Sequence, residues 1–311
     1  MLGVLSPSTG WTRSRSRFTY AGSPMKPEAS PTHVRICLHG LHIFPVKLIE
    51  MNIDAFKADT QHVTADLLHV ARILSSQFST SLKLVGVAAV TALEQHRFVP
   101  GTLLVLCTRA LSSDGRPASA LHPFAAAMEL IVLSLYAHAG TPERSQEQTD
   151  TPFVLPGVAP RVLLGDLLYT LAYRMTVSTG HQAALMAMAQ ITEKMVVAAT
   201  RERLGTKAHA PVPKQSEFLA ASYAGCGTLA AVLGGASPEQ RGLLEEFGAM
   251  CGQLRAAGGR QSSEDGITSV ASEAQCIAKA NEIFAPSSFR DDISKLIGFL
   301  VRSLPQPLLI A

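Results

Sequence analysis

The chain has 311 residues, of which 47% are hydrophobic and 16% charged, and its formal net charge is +3 at pH 7. This composition excludes a disordered protein and is unusually apolar for a soluble monomer, so it indicates either a large buried core or an apolar face covered by a partner. The sequence has no broad basic stripe with interleaved aromatic residues, so no nucleic-acid partner is expected. Five cysteines without a Cys-x-x-Cys pair indicate reduced thiols and not a disulfide framework.

Residues 1–30 have the composition of a mitochondrial transit segment. Four cations occur between Arg13 and Lys26, five serines accompany them, and no acidic residue precedes Glu28. Transit peptides are rich in arginine and serine and poor in acids. We therefore predict mitochondrial targeting, in the matrix or at the inner membrane; a disordered basic tail without targeting function is the alternative.

Residues 31–45 are interpreted as a linker, and residues 46–305 as one helical domain. Within the linker region, Thr32–Phe44 is the only weak strand candidate, since hardly any stretch of the sequence alternates with period two. Apolar residues recur at helical spacing from residue 67 onward, and Gly, Pro and polar clusters separate the segments. The predicted helices, in chain order, cover residues 67–78, 84–95, 101–111, 123–138, 163–178, 181–204, 218–233, 238–257, 267–284 and 288–303. The predicted class is all-α, without a domain boundary after residue 46.

Residues 218–236 contain no charged side chain, and this stretch of 19 residues is close to the length of a membrane-spanning helix. Ala, Gly, Ser and Cys predominate in it, and these residues gain little from transfer into hydrocarbon. We therefore predict a helix buried inside the protein, and no transmembrane segment.

Five short motifs follow one another along these predicted helices. They are His96-Arg97-Phe98-Val99-Pro100, Ala125-Ala126-Ala127-Met128-Glu129-Leu130-Ile131, Leu163-Leu164-Gly165-Asp166-Leu167-Leu168, Lys214 with Leu219-Ala220-Ala221-Ser222, and Glu246-Phe247-Gly248 with Gly252. In order and spacing they resemble segments of the trans-prenyl diphosphate synthases. The resemblance spans roughly residues 46–303 and implies the large single-domain helical bundle of the isoprenoid synthases.

Enzymes of that family ionise an allylic diphosphate with Mg²⁺ ions held between two Asp-Asp-x-x-Asp motifs on facing helices. Mg²⁺ prefers hard oxygen ligands, so several carboxylates must converge on the substrate phosphates. In this chain the first motif is replaced by Ala139-Gly140-Thr141-Pro142-Glu143, and the second falls near Gly258-Gly259-Arg260. The resemblance therefore predicts no catalytic residue and no metal site in this chain alone, with Mg²⁺ on a catalytic partner.

The cations that contact diphosphate in the family are partly kept. Arg97 and Lys214 stand at such positions, His96 replaces a lysine, and Val99 replaces a second arginine. A guanidinium binds a phosphate through two parallel hydrogen bonds, which valine cannot form. The candidate binding residues are therefore His96, Arg97 and Lys214, as residual diphosphate anchors; exposed or ion-paired cations without a ligand are the alternative.

His138 and the pair Asp291 and Asp292 are expected to have structural and not catalytic roles. His138, which matches a family histidine just before the missing aspartates, is predicted to be a helix-end histidine and not a base. Asp291 and Asp292, the only adjacent aspartates, are predicted to form a solvated helix start, where the helix dipole favours acids.

A scaffold that has lost both metal motifs resembles the non-catalytic subunits of heteromeric long-chain prenyl diphosphate synthases. The expected function is that of a regulatory or structural subunit, working with a catalytic polyprenyl diphosphate synthase subunit to make the isoprenoid side chain of ubiquinone. One alternative is a divergent active prenyltransferase whose metal is held by Glu143, or by Glu264 with Asp265. Another is a structural subunit of an unrelated mitochondrial assembly that reuses the fold.

Overall fold

The computed structural model describes residues 61–81, 99–112, 119–139, 158–204, 216–258 and 266–302. In these ranges the chain forms a short 3₁₀-helix, Gln61–Val63, followed by nine α-helices, and it contains no strand. The α-helices are α1 (Thr64–Ser81), α2 (Val99–Leu111), α3 (Leu121–Ala139), α4 (Val158–Val177), α5 (Gln182–Leu204), α6 (Ser216–Leu233), α7 (Pro238–Gly258), α8 (Gly266–Ile283) and α9 (Ser288–Arg302). The prediction of an all-α protein is confirmed.

Each helix that the sequence predicts within the described ranges is present. The largest difference is at the start of α4, which begins at Val158 and not at Leu163. Pro160 lies in its first turn, where a backbone N–H would have no intrahelical acceptor, so proline is tolerated there. The predicted transit segment, the linker with its strand candidate, and the predicted helix 84–95 lie outside the described residues.

Local capping fixes several helix ends. The Oγ of Ser237 accepts the backbone N–H of Gln240 at 3.3 Å, and the Oε1 of Gln240 accepts the N–H of Ser237 at 3.0 Å. This reciprocal pair is a capping box at the start of α7. Gly180 and Gly235, which follow α4 and α6, have φ values of 68° and 70°, a left-handed conformation that glycine adopts without strain.

The core is built around α3 and α6. The helix α3 packs against α1, α2 and α4, whereas α6 packs against α2, α5 and α7, and α8 and α9 cover α7. The largest fully buried side chains include Phe78, Phe124 and Phe247. The two central helices are therefore enclosed by the others.

One helix in the described ranges, α3, is long and apolar enough to cross a membrane by length and composition. Over its segment Leu121–His138, 78% of the residues are buried inside the fold. The uncharged stretch for which the sequence predicts burial forms α6, where Cys226, Leu229 and Ala230 are fully buried. A buried core helix has the composition of both segments.

The helices α6 and α7 approach each other so closely that glycine is required between them. A Cβ atom added to Gly227 would lie 2.0 Å from the carbonyl oxygen of Leu244, and one added to Gly248 would lie 2.1 Å from that of Tyr223. Gly252 has an equivalent contact one turn later, at 2.3 Å from a carbonyl oxygen. Because the facing atoms belong to helical backbone, they cannot rotate away as a side chain would.

A buried carboxylate joins α1 to two other helices. Asp66 accepts hydrogen bonds from the Nη2 and Nε atoms of Arg109 at 2.6 and 2.9 Å, and its Oδ1 lies 2.7 Å from the Nε2 of His122. Burial raises the pKa of Asp66, but the hydrogen bonds from His122 and Arg109 together outweigh it and hold the pKa below its usual value. Asp66 is therefore an ionised junction between α1, α2 and α3.

The second buried carboxylate is that of Asp292, for which the sequence predicts a solvated position. Asp292 is fully buried, and its Oδ2 accepts the backbone N–H of His62 at 3.2 Å and lies 2.9 Å from the Nδ1 of that residue. Its other oxygen accepts a hydrogen bond from Lys295 at 3.0 Å. The prediction of a solvated helix start is therefore wrong for Asp292, because α9 turns this side chain towards the 3₁₀-helix; only Asp291 is exposed.

Candidate functional site

The three predicted diphosphate anchors, His96, Arg97 and Lys214, lie outside the described residues. The described helices that follow them are α2, which begins at Val99, and α6, which begins at Ser216. These two helices pack against each other. Convergence of the anchors on one ligand stays a prediction.

The last turns of α3 and the middle of α4 form a polar contact. The Nε2 of His138 lies 3.3 Å from the Oδ1 of Asp166, and the Oγ of Ser134 donates a hydrogen bond to the carbonyl oxygen of Gly165 at 2.8 Å. A Cβ at position 165 would lie only 2.5 Å from the same Nε2. The family-like Gly165-Asp166 motif therefore packs on the last turn of α3, and the interpretation of His138 as a helix-end histidine is confirmed.

A groove of about 400 Å³ lies beside this contact, between α3, α4 and α5. The side chains of Leu135, Tyr169 and Val196 give it an apolar wall. Burial raises the pKa of Tyr169 to about 12, so its hydroxyl is neutral at physiological pH. The described residues that line the groove include one imidazole and one carboxylate but no Lys or Arg, so they do not favour an anionic ligand.

A second groove, of about 650 Å³, lies between α5 and α6. It is lined by two cations, Lys194 and Arg201, and by two acids, Glu193 and Glu217. Lys194 is also ion-paired with Glu245 of α7 at 2.5 Å. These charges balance one another, so the described part of this groove does not present the excess positive charge that a diphosphate requires.

The described residues do not fit a magnesium cluster. No group of three or more His, Cys, Asp or Glu side chains within the described ranges could hold a metal ion. The described ends of α3 and α7, at Ala139 and Gly258, carry no carboxylate at the positions where the two acidic motifs would begin. Residues 140–143 and 259–265 lie outside the described ranges, so we assign no metal-dependent step to the described residues.

Sequence reasoning did not single out Glu129, a completely buried acid in α3. Its Oε1 accepts the backbone N–H of Gly101 at 2.6 Å, whereas its Oε2 has no hydrogen-bond partner among the described residues. Burial raises the pKa of Glu129 to about 8, so the carboxyl group is mostly protonated at pH 7. It therefore serves as a neutral acceptor at the start of α2. The sequence signal for it is a single acid in the otherwise apolar stretch 124–133.

Exposed apolar side chains occur on α4 and α5. Leu163, Val177 and Met186 are 67%, 57% and 58% exposed, respectively. Every large apolar side chain that is strongly exposed in the described ranges lies on these two helices. We call this set the α4–α5 apolar residues; its members are Leu163, Tyr169, Val177, Met186, Val196 and Val197. These six side chains are therefore the candidates, among the described residues, for contact with a partner.

Comparisons with known proteins support the fold. No protein-family model and no curated protein matches the sequence. A polyprenyl synthase from Caulobacter crescentus, in complex with calcium and isoprenyl diphosphate, is 16% identical with a TM-score of 0.60 over 78% of this chain and 97% of its own. A decaprenyl diphosphate synthase from Rhodobacter capsulatus is 14% identical, with a TM-score of 0.61 over 79% of this chain and 98% of its own.

A third similar structure is the geranyl diphosphate synthase small subunit from Antirrhinum majus, which is 14% identical with a TM-score of 0.53 over 83% of this chain and 98% of its own. At such low identities the likeness establishes the fold alone. The chain has the trans-polyprenyl diphosphate synthase fold, and the predicted isoprenoid-synthase-type helical bundle is confirmed.

Proposed function

We propose that this chain is a non-catalytic, regulatory or structural subunit of a heteromeric trans-polyprenyl diphosphate synthase. Its partner is a catalytic subunit of the same fold, which binds Mg²⁺ and condenses the prenyl substrates. The complex makes the isoprenoid side chain of ubiquinone in mitochondria. Under this proposal the chain resembles decaprenyl diphosphate synthase subunit 2. The segment Gly266-Ile267-Thr268-Ser269 is similar to a segment of that subunit.

The presence of the α4–α5 apolar residues is the observation that carries this proposal. Leu163 and Met186 each expose more than half of their surface. Exposing several such side chains costs free energy that a subunit interface recovers, because the centre of an interface is enriched in large apolar residues and poor in charge. A partner that covers α4 and α5 therefore explains why both helices keep these exposed apolar side chains.

The acidic positions support the non-catalytic part of the proposal. Stretches that should carry six aspartates retain Glu143 as their single carboxylate and gain the cation Arg260. A single carboxylate cannot hold the ions that neutralise a departing diphosphate. The fold also serves in a protein that is named a small subunit, the geranyl diphosphate synthase small subunit from Antirrhinum majus.

Activity measurements on the purified chain test the proposal. The chain alone should show no Mg²⁺-dependent condensation of isopentenyl and allylic diphosphates. Added to a catalytic polyprenyl diphosphate synthase subunit that co-purifies with it, it should raise the rate of condensation or the length of the product.

Two outcomes would contradict the proposal. Turnover by the isolated chain would favour the divergent enzyme, with its metal at Glu143, or at Glu264 and Asp265. Co-purification with another mitochondrial assembly, and with no prenyl synthase, would favour a structural subunit that reuses the fold.

A further inference from the structure

Two histidine rings stack on each other between α1 and α3. His69 of α1 and His122, the second residue of α3, have ring centroids 4.5 Å apart, and the ring planes are tilted by 30°. His69 is exposed, and the side chain of His122 is 20% exposed. Protons from the solvent therefore reach both rings without any movement of the core.

The carboxylate of Asp66 fixes one of these rings. Its Oδ1 lies 2.7 Å from the Nε2 of His122, and because the carboxylate is ionised, this nitrogen must carry the hydrogen of the bond. A proton taken up by His122 therefore binds to Nδ1 and leaves the bond to Asp66 intact. His69 thus faces a ring that keeps its position while its charge can change.

The described charges around the two rings come from three helices. On α1, Asp66 and Arg72 stand three residues before and after His69, α2 contributes Arg109, and α3 contributes His122 itself. One carboxylate therefore faces two guanidinium groups before either imidazole takes up a proton. Like charges three residues apart on a helix repel each other, and so do two cationic rings in contact. A second proton on the pair meets no further carboxylate among these described charges.

We propose that His69 and His122 form a pH-sensitive contact, which joins α1 to α3 while at most one of the two rings is protonated. When both rings are protonated they repel each other, and the exposed side chain of His69 turns away into solvent. The helix α1 then stays attached through Asp66 and its buried apolar side chains. The inference does not depend on the proposed function, because all the groups involved belong to this chain.

Acid weakens this contact. Burial and the charges of His122 and Arg72 lower the pKa of His69, and the carboxylate of Asp66 opposes them only in part. His69 therefore binds fewer protons in the folded chain than in the unfolded chain, where its pKa is about 6.5. The stability that the contact contributes is complete above pH 6.5 and is lost as the pH falls through the folded pKa.

A nuclear magnetic resonance titration of the full-length chain tests the interaction between the two rings. The titration midpoint of His69 should move to a higher pH in His122→Gln, because the charge across the contact is removed while the glutamine amide can still donate to Asp66. The matched control is His138→Gln, which replaces a histidine near the other end of α3, roughly 24 Å away. The control should leave the midpoint of His69 unchanged.

A double-mutant cycle measures the contact itself. Urea titrations of the unsubstituted chain, His69→Gln, His122→Gln and the double variant give the coupling between the two side chains. The coupling should be favourable at pH 8, and at pH 5 it should be lost or become unfavourable. The same cycle with His69→Gln and His138→Gln should show no coupling at either pH.

The unsubstituted chain provides a test that does not depend on the folding of a variant. The midpoint of His69 should lie at a lower pH in the folded chain than in the chain unfolded by urea. The inference is overturned if the two midpoints are equal, if His122→Gln leaves the midpoint of His69 unchanged, or if the coupling is the same at pH 8 and pH 5.

Discussion

Two pairs of consecutive helices, α6–α7 and α4–α5, have similar connections but opposite packing. Each pair is joined by four residues, 234–237 and 178–181, and each connection contains one glycine with positive φ. Yet α6 and α7 meet backbone to backbone, whereas α4 packs mainly on α3 and α5 mainly on α6. The connection therefore does not determine how closely two helices pack.

The difference lies in the side chains on the facing surfaces. Gly227, Gly248 and Gly252 allow one helix to rest on the carbonyl oxygens of the other. In contrast, α4 and α5 carry Leu163 and Met186 into solvent. The first pair is complete within the chain, and the second retains apolar surface that another molecule can cover.

The largest expected effect comes from replacing the glycines at the contact between α6 and α7. We expect Gly227→Ala with Gly248→Ala to lower the free energy of unfolding by about 5 kcal/mol, and either change alone by about 3 kcal/mol, because each new Cβ must displace helical backbone. Urea titration followed by circular dichroism measures both values.

The matched control for that contact is Gly242→Ala, in α7, the helix that also carries Gly248. A Cβ at this position meets nothing within 4 Å. The same substitution should there raise the free energy of unfolding by about 0.5 to 1 kcal/mol, since alanine favours a helix over glycine. Equal effects of Gly242→Ala and Gly248→Ala would contradict the backbone contact.

A pH-dependent effect should follow from the buried acid beside the start of α2. The folded pKa of Glu129 is about 8 and its ordinary value is 4.5, so the folded state binds the additional proton between these values. Stability from this group is complete below pH 4.5 and is lost as the pH rises to 8, by about 4 kcal/mol.

The variant Glu129→Gln keeps an acceptor for Gly101 and removes the titration. Its free energy of unfolding should therefore match that of the unsubstituted chain near pH 4.5 and exceed it increasingly towards pH 8. Denaturant titrations across this window measure the difference. A constant difference at all pH values would show that the buried carboxyl group does not titrate as proposed.

A smaller effect is expected at the start of α7, the second helix of the closely packed pair. Ser237→Ala removes the acceptor for the N–H of Gln240 and should lower the free energy of unfolding by about 1 kcal/mol. Ser237→Asp, which restores an acceptor, should recover most of the loss in thermal unfolding. No recovery would indicate that the serine acts through another contact.

The smallest effect on stability should come from the α4–α5 apolar residues. Met186→Gln with Val197→Gln should change the free energy of unfolding by less than about 0.5 kcal/mol, because both side chains are exposed. If the proposed function is correct, the same variant should lose the proposed catalytic partner in affinity purification. Ala278→Gln, an apolar-to-polar change at an exposed position of α8, should keep the partner; loss of binding in both variants would argue against a specific surface.

Local sequence signals account for most of the fold. Helical spacing of apolar residues predicts the described helices, and the Ser-Pro-x-Gln pattern at Ser237 is typical of the capping box that the structure contains. The Phe-Gly-x-x-x-Gly pattern also marks Gly248 and Gly252. The sequence does not show why glycine is needed at these two positions, because that need depends on the distance between α6 and α7.

Long-range contacts explain what the sequence could not predict. Asp292 stands at a helix start, where the local pattern favours a solvated acid, yet its partner His62 is 230 residues away. Glu129 stands out in the sequence only as a single acid in an apolar stretch, and its complete burial depends on the helices that surround it. For His96, Arg97 and Lys214, the residues on which the candidate site depends, the prediction still stands on resemblance alone.

The contact between His62 and Asp292 has a consequence for synthesis on the ribosome. Residue 62 leaves the exit tunnel long before residue 292 is translated, so the first described turn must wait for α9 before it can be fixed. Until then, α1 is held by the contacts of Asp66 with Arg109 and His122. Premature termination ahead of α9 would thus release a product in which the turn at His62 is not fixed, and cellular proteases could attack that turn first.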